Sequence, residues 1–328
     1  MNHNVSLKSL LQTGEQIFAP SVWDCMSARA AEITGYKAIL LSSACLAWSS
    51  CGVPDIGLLS LDEYEWVVQR IASSSPLALI IDAEEGLGPT PLHTYRTVKR
   101  LIQAGASAFT IEDSVPIRGS ERVFALDENG QRRRIAGPSP VLDERDWLAR
   151  TEAALEAIKG TDAMLIARTH AYSSLGLEAA IDRAVKATEM GAEMTYVSIP
   201  HWQNNYETCK RIAERLPGWK MYGDIFSKDG KSDIEMEDAK RMGYNLVTVH
   251  FLEYGSFYGM CDFAKHSMID QSTIYADTHP RGGSFLSKEM VQMERYNVED
   301  WLSMEKRCNE IGEKAANEPA PFSASAQE

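Results

Sequence analysis

Short apolar runs of this chain end, one after another, in side chains that carry charge or titrate: Asp82-Ala83-Glu84-Glu85-Gly86, Glu112-Asp113, Arg168-Thr169-His170, Tyr222-Gly223-Asp224 and His250, with Asp55 in a loop between two such runs. Any one of these acids alone is explained by a helix cap or an ion pair. Asp82, Glu84 and Glu112 gathered at one point are harder to explain, because three carboxylates repel one another unless a cation sits among them. Oxygen ligands suit a hard divalent ion; Mg²⁺ takes few direct carboxylates and keeps positions for waters, a substrate carbonyl and a substrate carboxylate, and Mn²⁺ is the alternative. Arg168 closes the buried-looking run LIAR, so its guanidinium has to meet an anion there, supplied by the protein or by a substrate. His250 closes VTVH and reads as either a structural or a catalytic histidine. Tyr222 reads as either core or a phenolic donor, His170 as support for Arg168, and the basic stretch 132–134 as a solvated run.

A parallel barrel would gather these residues, since its catalytic groups stand at the carboxyl ends of its strands. The sequence punctuates itself in that way. In ITGYKAILLSS, QAGASAFTIED, EMGAEMTYVSI and RMGYNLVTVHF a helical pattern stops at a glycine suited to the left-handed C′ position, and an unalternating apolar strand follows. Together with the remaining runs, strands are expected at Ile17–Pro20, Ala38–Ser42, Leu77–Asp82, Ala108–Glu112, Met164–Arg168, Met194–Val197, Lys220–Tyr222 and Leu246–His250. Helical patterns such as Leu61–Ser74, Pro91–Gln103, Glu144–Ile158, Glu178–Glu189 and Glu235–Met242 lie between them. The alternation reads as a (β/α)8 TIM barrel forming one domain over residues 1–328. A doubly wound sheet is the alternative, weakened by the lack of a GxGxxG after the first strand. Residues 116–140 are too long and polar for an ordinary βα loop and are expected to form a lid. A helical extension is expected over 252–316, with a frayed tail at 317–328.

Composition narrows the partners. Of 328 residues, 44% are hydrophobic and 24% charged, ordinary for a globular protein, and 33 Lys and Arg against 46 Asp and Glu leave a formal charge of −13. That sign disfavours nucleic acid and anionic membranes and points to small molecules. An anionic substrate then needs local positive charge from a metal or a buried arginine. No secretory signal or membrane span is visible, so a cytoplasmic location is expected. The six cysteines form no CxxC pair and read as reduced packing thiols.

The segments SVWDCMSARAAEITGYKAILLSSA, GVPDIGLLSLDE, IDAEEGLG, FTIED and LIARTHA, in that order and spacing, resemble the isocitrate lyase/phosphoenolpyruvate mutase superfamily over about residues 7–251. The resemblance implies Mg²⁺ bound directly by Asp82, with Asp55, Glu84 and Glu112 holding metal-bound waters. It also implies a cradle for the substrate carboxylate at Ser42, Ser43 and Ala44, Arg168 as the substrate-binding arginine, and a homotetramer, a dimer of dimers, that exchanges a C-terminal helix between subunits. Two departures bear on activity. Where lyases of the family carry KRCGH, this chain has Arg118-Gly119-Ser120-Glu121-Arg122, and Glu84 replaces the usual aspartate. The branch with oxaloacetate decarboxylase activity is similar in lacking that cysteine, in its Tyr-Gly at the seventh strand (Tyr222-Gly223) and in a histidine ending the eighth (His250). The resemblance therefore implies a Mg²⁺-dependent C–C lyase of a 2-oxo diacid, first of all a decarboxylase of oxaloacetate or a relative, with Arg168, Tyr222 and His250 catalytic and His250 also touching substrate. A methylisocitrate lyase-like retro-aldol lyase or hydrolase, and a non-catalytic 2-oxo acid binding protein, are the alternatives.

Overall fold

Eight short strands rich in aliphatic residues are spaced by helices: β1 (Ile17–Val22), β2 (Ala38–Leu41), β3 (Ala78–Asp82), β4 (Ala108–Glu112), β5 (Met164–Thr169), β6 (Met194–Val197), β7 (Trp219–Tyr222) and β8 (Leu246–Val249). In the computed structural model they close into a barrel in the order β1-β8-β7-β6-β5-β4-β3-β2, every neighbouring pair parallel. The protein is thus a (β/α)8 barrel, and the doubly wound alternative falls because β1 pairs with β8. The structure describes residues 5–115, 124–126, 132–134, 140–200, 204–223, 227–228, 231–232, 234–275, 296 and 298–317.

Side chains alternate across each strand and fill two layers. Inside, Ile17, Ala19, Ala38, Leu40, Ala78, Ile80, Ala108, Met164, Ile166, Met194, Met221 and Leu246 form one buried cluster, closed from below by Leu7 and Leu11 of the N-terminal helix. Outside, Ile39, Leu41, Leu79, Ile81, Phe109, Ile111, Leu165 and Ala167 pack against helix residues such as Val68, Leu101 and Trp147. A residue two or four positions beyond an inward one therefore arrives at the barrel mouth.

The helices begin and end as their sequences dictate. Leu61–Ser74 opens with a reciprocal capping box between Ser60 and Glu63. Pro91–Ala104 has its proline in the first turn and stops at Gly105 with φ 111°. A Cβ there would also stand 2.4 Å from the Cβ of Ala72, so packing and backbone both require glycine. Helices Cys25–Ile33, Glu144–Ile158, Leu177–Met190, Tyr206–Arg215 and Met236–Arg241 stand around the barrel with them, and a π turn at Ala47–Cys51 follows the short helix after β2.

The chain divides into two compact units, Met1–Gln271 and Ser272–Glu328. Helix Leu252–Asp270 belongs to the first and helix Val298–Asn317 to the second, so the expected extension is split between them. Of the lid expected over 116–140, a ribbon pairing Phe124–Leu126 with Arg132–Arg134 is described, and Ser114 bridges Val141 at its base. Residues 116–123, 127–131 and 135–139, and 318–328 of the expected frayed tail, lie outside the described residues. No helix among the described residues is long and apolar enough to cross a membrane.

Candidate active site

Strand alternation carries Asp82, Glu112 and Arg168 to the mouth, two residues or more beyond Ile80, Ala108 and Ile166 of the inner cluster. There they meet. Arg168 Nη1 lies 3.0 Å from Asp82 Oδ1 and 3.2 Å from Glu112 Oε2. Burial alone would push the guanidinium pKa down, but Glu112 and Asp82 beside it drive it above the ordinary arginine range. Thr110 Oγ1 donates to Asp82 Oδ1 at 2.9 Å and Ser43 Oγ to Asp82 Oδ2 at 3.2 Å. Glu112 is wholly buried; His170 Nε2 stands 3.1 Å from its Oε2, and the Ser114 hydroxyl donates to its Oε1. His170 thus supports Arg168 through a shared carboxylate.

Glu84 is placed by an unusual backbone. It has φ 53°, Gly86 φ 100° and Leu87 φ 54°, so three of the four residues 84–87 are left-handed. For a non-glycine residue such a conformation costs about 1–3 kcal/mol and persists only where the surroundings impose it. The Glu84 carbonyl accepts from Glu112 N at 2.9 Å, which ties the loop to β4. Asp55 and Glu84 both line a cavity of about 330 Å³ with Glu85, Leu58, Leu87 and Pro89. Burial pushes the Glu85 carboxyl pKa up and the charge of Glu112 adds to this, against the main-chain amides of Glu85 and Gly88 and the nearby Arg150.

The remaining expected residues are distributed differently. Ser42, Ser43 and Ala44 are buried at the start of the helix that follows β2, where the Ser42 hydroxyl accepts from Cys45 N at 3.3 Å. His250 is half-buried just past the end of β8. Tyr222 is not brought to the acids. It follows Met221 of the inner cluster, so it faces the helices, packed with Tyr244, Val247 and Cys209, and its hydroxyl receives a 2.6 Å hydrogen bond from Asn204 Nδ2. The lumen position at the end of β7 belongs to Gly223, and a Cβ there would stand 2.0 Å from the Tyr196 hydroxyl.

Tyr196 also stands at the mouth, at a place that strand-end charge does not announce. It pairs in register with Arg168, whose guanidinium carbon lies 5.3 Å from the ring centroid, within cation–π range. Counting two residues from inward Met194 finds it. Arg150 and Arg183 are likewise unannounced by strand ends. Both sit on core-facing helix stripes, and Arg183 Nη1 donates to Asp113 Oδ2 and the Leu142 carbonyl, each at 3.0 Å.

Asp55, Asp82, Glu84 and Glu112 are all buried and offer only carboxylate oxygen, a donor set that fits a hard divalent cation. Among the described residues no three His, Cys, Asp or Glu side chains converge closely enough to hold an ion by themselves. Mg²⁺ with one or two direct carboxylates and retained waters asks for no such convergence.

The sequence signature of the family described as phosphoenolpyruvate phosphomutase matches residues 7–258. The chain is 30% identical over 244 residues to the petal death protein of Dianthus caryophyllus, covering 74% of this chain and 71% of that one. It is 24% identical over 248 residues to the 2,3-dimethylmalate lyase of Eubacterium barkeri, covering 75% and 79%. Over 202 residues it is 34% identical to oxaloacetate decarboxylase 2 of Pseudomonas putida, covering 60% and 65%. A crystal structure of 2,3-dimethylmalate lyase superposes with a TM-score of 0.76 at 21% identity across 99% of both chains, a likeness of fold.

Proposed function

The chain belongs to the isocitrate lyase/phosphoenolpyruvate mutase superfamily, and on that premise we propose that it is a Mg²⁺-dependent carbon–carbon lyase of a 2-oxo diacid, with decarboxylation of oxaloacetate or a close analogue as the favoured reaction. The observation that carries this reading is Arg168, held between Asp82 and Glu112 at the barrel mouth. Asp82, with Asp55, Glu84 and Glu112, would hold the ion. When bound, Mg²⁺ supplies Lewis-acid polarisation of the 2-oxo group. Arg168 supplies a fixed positive charge toward the substrate carboxylate and the developing enolate oxygen, and Tyr196 fixes its plane.

Decarboxylation breaks the bond between C3 and its carboxylate, passes the electron pair into the 2-oxo group as an enolate, and releases neutral CO₂. The leaving group needs no proton, and C3 is protonated afterwards. This accords with Ser120 in the stretch where lyases of the family carry a cysteine, because a hydroxyl is a poor substitute for a thiol acid. A retro-aldol lyase has to protonate the carbanion it releases. That second reading is favoured by one observation, the Tyr196 phenol at the mouth, together with the likeness to a dimethylmalate lyase.

A homotetramer in the cytoplasm is the accompanying proposal, checked by light scattering and fractionation. The reaction is tested by screening 2-oxo and 2-hydroxy diacids with Mg²⁺ or with chelator. Release of CO₂ and pyruvate from oxaloacetate supports the proposal, whereas pyruvate or glyoxylate without CO₂ from a substituted malate or citrate supports retro-aldol cleavage. Mg²⁺-dependent thermal stabilisation by 2-oxo acids without turnover would leave a binding protein.

A further inference from the structure

Arg150 lies on the core-facing stripe of helix Glu144–Ile158, in line with Trp147, Thr151 and Ala154, and is 5% exposed. A guanidinium in that position loses its hydration, and burial lowers its pKa. An apolar side chain of similar volume would cost the core less. What the arginine does instead is specific. Its Nη1 donates to the Glu85 carbonyl at 2.9 Å and to the Gly88 carbonyl at 2.8 Å, and lies 3.4 Å from Thr94 Oγ1. From helix Pro91–Ala104, Thr97 Oγ1 donates to the Gly86 carbonyl at 2.9 Å.

With Glu112 N on the Glu84 carbonyl, the carbonyls of residues 84, 85, 86 and 88 are all held, by partners from β4 and two helices. This is the stretch that carries three left-handed residues, Glu84 among them. Strain of that kind relaxes unless the carbonyls on both sides are fixed.

We propose that Arg150 is a positioning residue for the metal-binding acids: it clamps the Glu85 and Gly88 carbonyls so that Glu84 keeps its left-handed backbone and its side chain stays in the cavity that it lines with Asp55. The proposal rests on the Mg²⁺ reading above for what the acids hold, but the clamp itself is measurable without metal. Outer groups that orient metal ligands typically change affinity by about 10–100-fold when removed. Arg150→Met therefore raises the Mg²⁺ concentration for half-maximal thermal stabilisation about 10–100-fold. In the metal-free protein it speeds hydrogen exchange at the amides of residues 84–88 at least about tenfold relative to the barrel strands. Arg150→Lys, with a charge on a shorter stem, recovers part of both effects. Thr97→Val, which frees one carbonyl, shows a smaller change in the same direction and serves if Arg150→Met does not fold.

Tyr244→Phe is the control for lost stability alone, since it removes a buried 2.9 Å hydrogen bond to the Cys209 carbonyl, in the helix-facing cluster of β7 and β8. It should lower Tm and leave both readouts unchanged. Wild-type Mg²⁺ affinity in folded Arg150→Met, or exchange that rises uniformly over the barrel, overturns the proposal. If the wild-type protein shows no Mg²⁺-dependent stabilisation, the Mg²⁺ reading is what fails, and exchange at residues 84–88 still decides whether Arg150 fixes the loop.

Discussion

The two sides of the barrel mouth are built on different principles. From β3 to β5 the strand-end ions are tied to one another: Asp82 and Glu112 share Arg168, Glu112 also faces His170, and Asp113 accepts from Thr169, from Arg183 and from the main chain of His170. At β7 the strand-end phenol turns away, and Tyr222 spends its hydroxyl on Asn204 in the helix layer. Both sides end in residues of catalytic type. The difference is parity: Asp82, Glu112 and Arg168 stand an even number of residues from inward neighbours, while Tyr222 stands one residue from Met221. A polar strand end is thus a candidate for chemistry only when its alternation points it inward.

The largest effect should come from cutting the charged side at its centre. Asp82→Ala removes the proposed direct ligand and one of the two anions on Arg168, while Glu112 still neutralises that guanidinium and keeps the barrel folded. Turnover should fall by at least about 10²–10³-fold, the scale of losing a main electrostatic stabiliser. The Mg²⁺-dependent thermal shift should vanish with it. Undiminished wild-type activity in excess chelator would remove the basis of this prediction.

Arg168→Lys comes next. It preserves the charge and loses the planar group that reaches both Asp82 and Glu112 and lies over Tyr196. A drop in kcat/KM of about tenfold or more is expected, with the Mg²⁺ thermal shift retained. An unchanged kcat/KM would show that a point charge suffices and that the substrate carboxylate is held elsewhere.

A paired substitution tests the contrast between the two sides directly. Tyr222→Phe should cost about 1 kcal/mol of stability, as for one buried hydrogen bond, and leave kinetics unchanged. Tyr196→Phe should alter kcat or its pH profile with little change in Tm. The reverse pattern would mean that Tyr222 swings into the mouth during turnover, restoring the role that the sequence resemblance implied for it.

Much of this molecule is legible in its residues. Glycines at 35, 105, 191 and 243 all adopt positive φ, as the helix-to-strand junctions predict, and the eight strands lie within a residue or two of their expected limits. The acids Asp82 and Glu112 and the arginine between them follow from hydrophobic runs that end in charge. Tyr222 lies in the helix layer, bonded to Asn204, a placement that follows from alternation and not from strand-end position or resemblance. Arg150 and Arg183 are hidden for a different reason: a helix reads as amphipathic with one arginine on its buried stripe, and the carbonyls that hold Arg150 belong to a loop whose left-handed turns no propensity at Glu84 or Leu87 announces.

The smallest effect, and the one with a defined sign, concerns Glu85, which stands next to the charged network without joining an ion pair of its own in the contacts described above. Its native carboxyl pKa is raised above the ordinary glutamate value, first by burial and then by the charge of Glu112. The folded protein therefore holds that proton more tightly than the unfolded chain. Below the ordinary value both states are protonated and the group costs nothing; as pH rises from there through the raised native value, stability is lost, and the loss is complete above it. Glu85→Gln keeps a carbonyl oxygen for one of the main-chain amides and removes the charge. In chelator at neutral pH it should raise Tm by roughly 1–2 °C, as for about 1 kcal/mol in a unit as long as Met1–Gln271. The difference from wild type should close as pH falls toward the ordinary glutamate value. A lower Tm at neutral pH, or a difference independent of pH, would mean that the Glu85 charge is stabilised by Arg150 more than it is penalised by burial and by Glu112, and that the charged side of the mouth extends one residue further than the contacts of Asp82, Glu112 and Arg168 suggest.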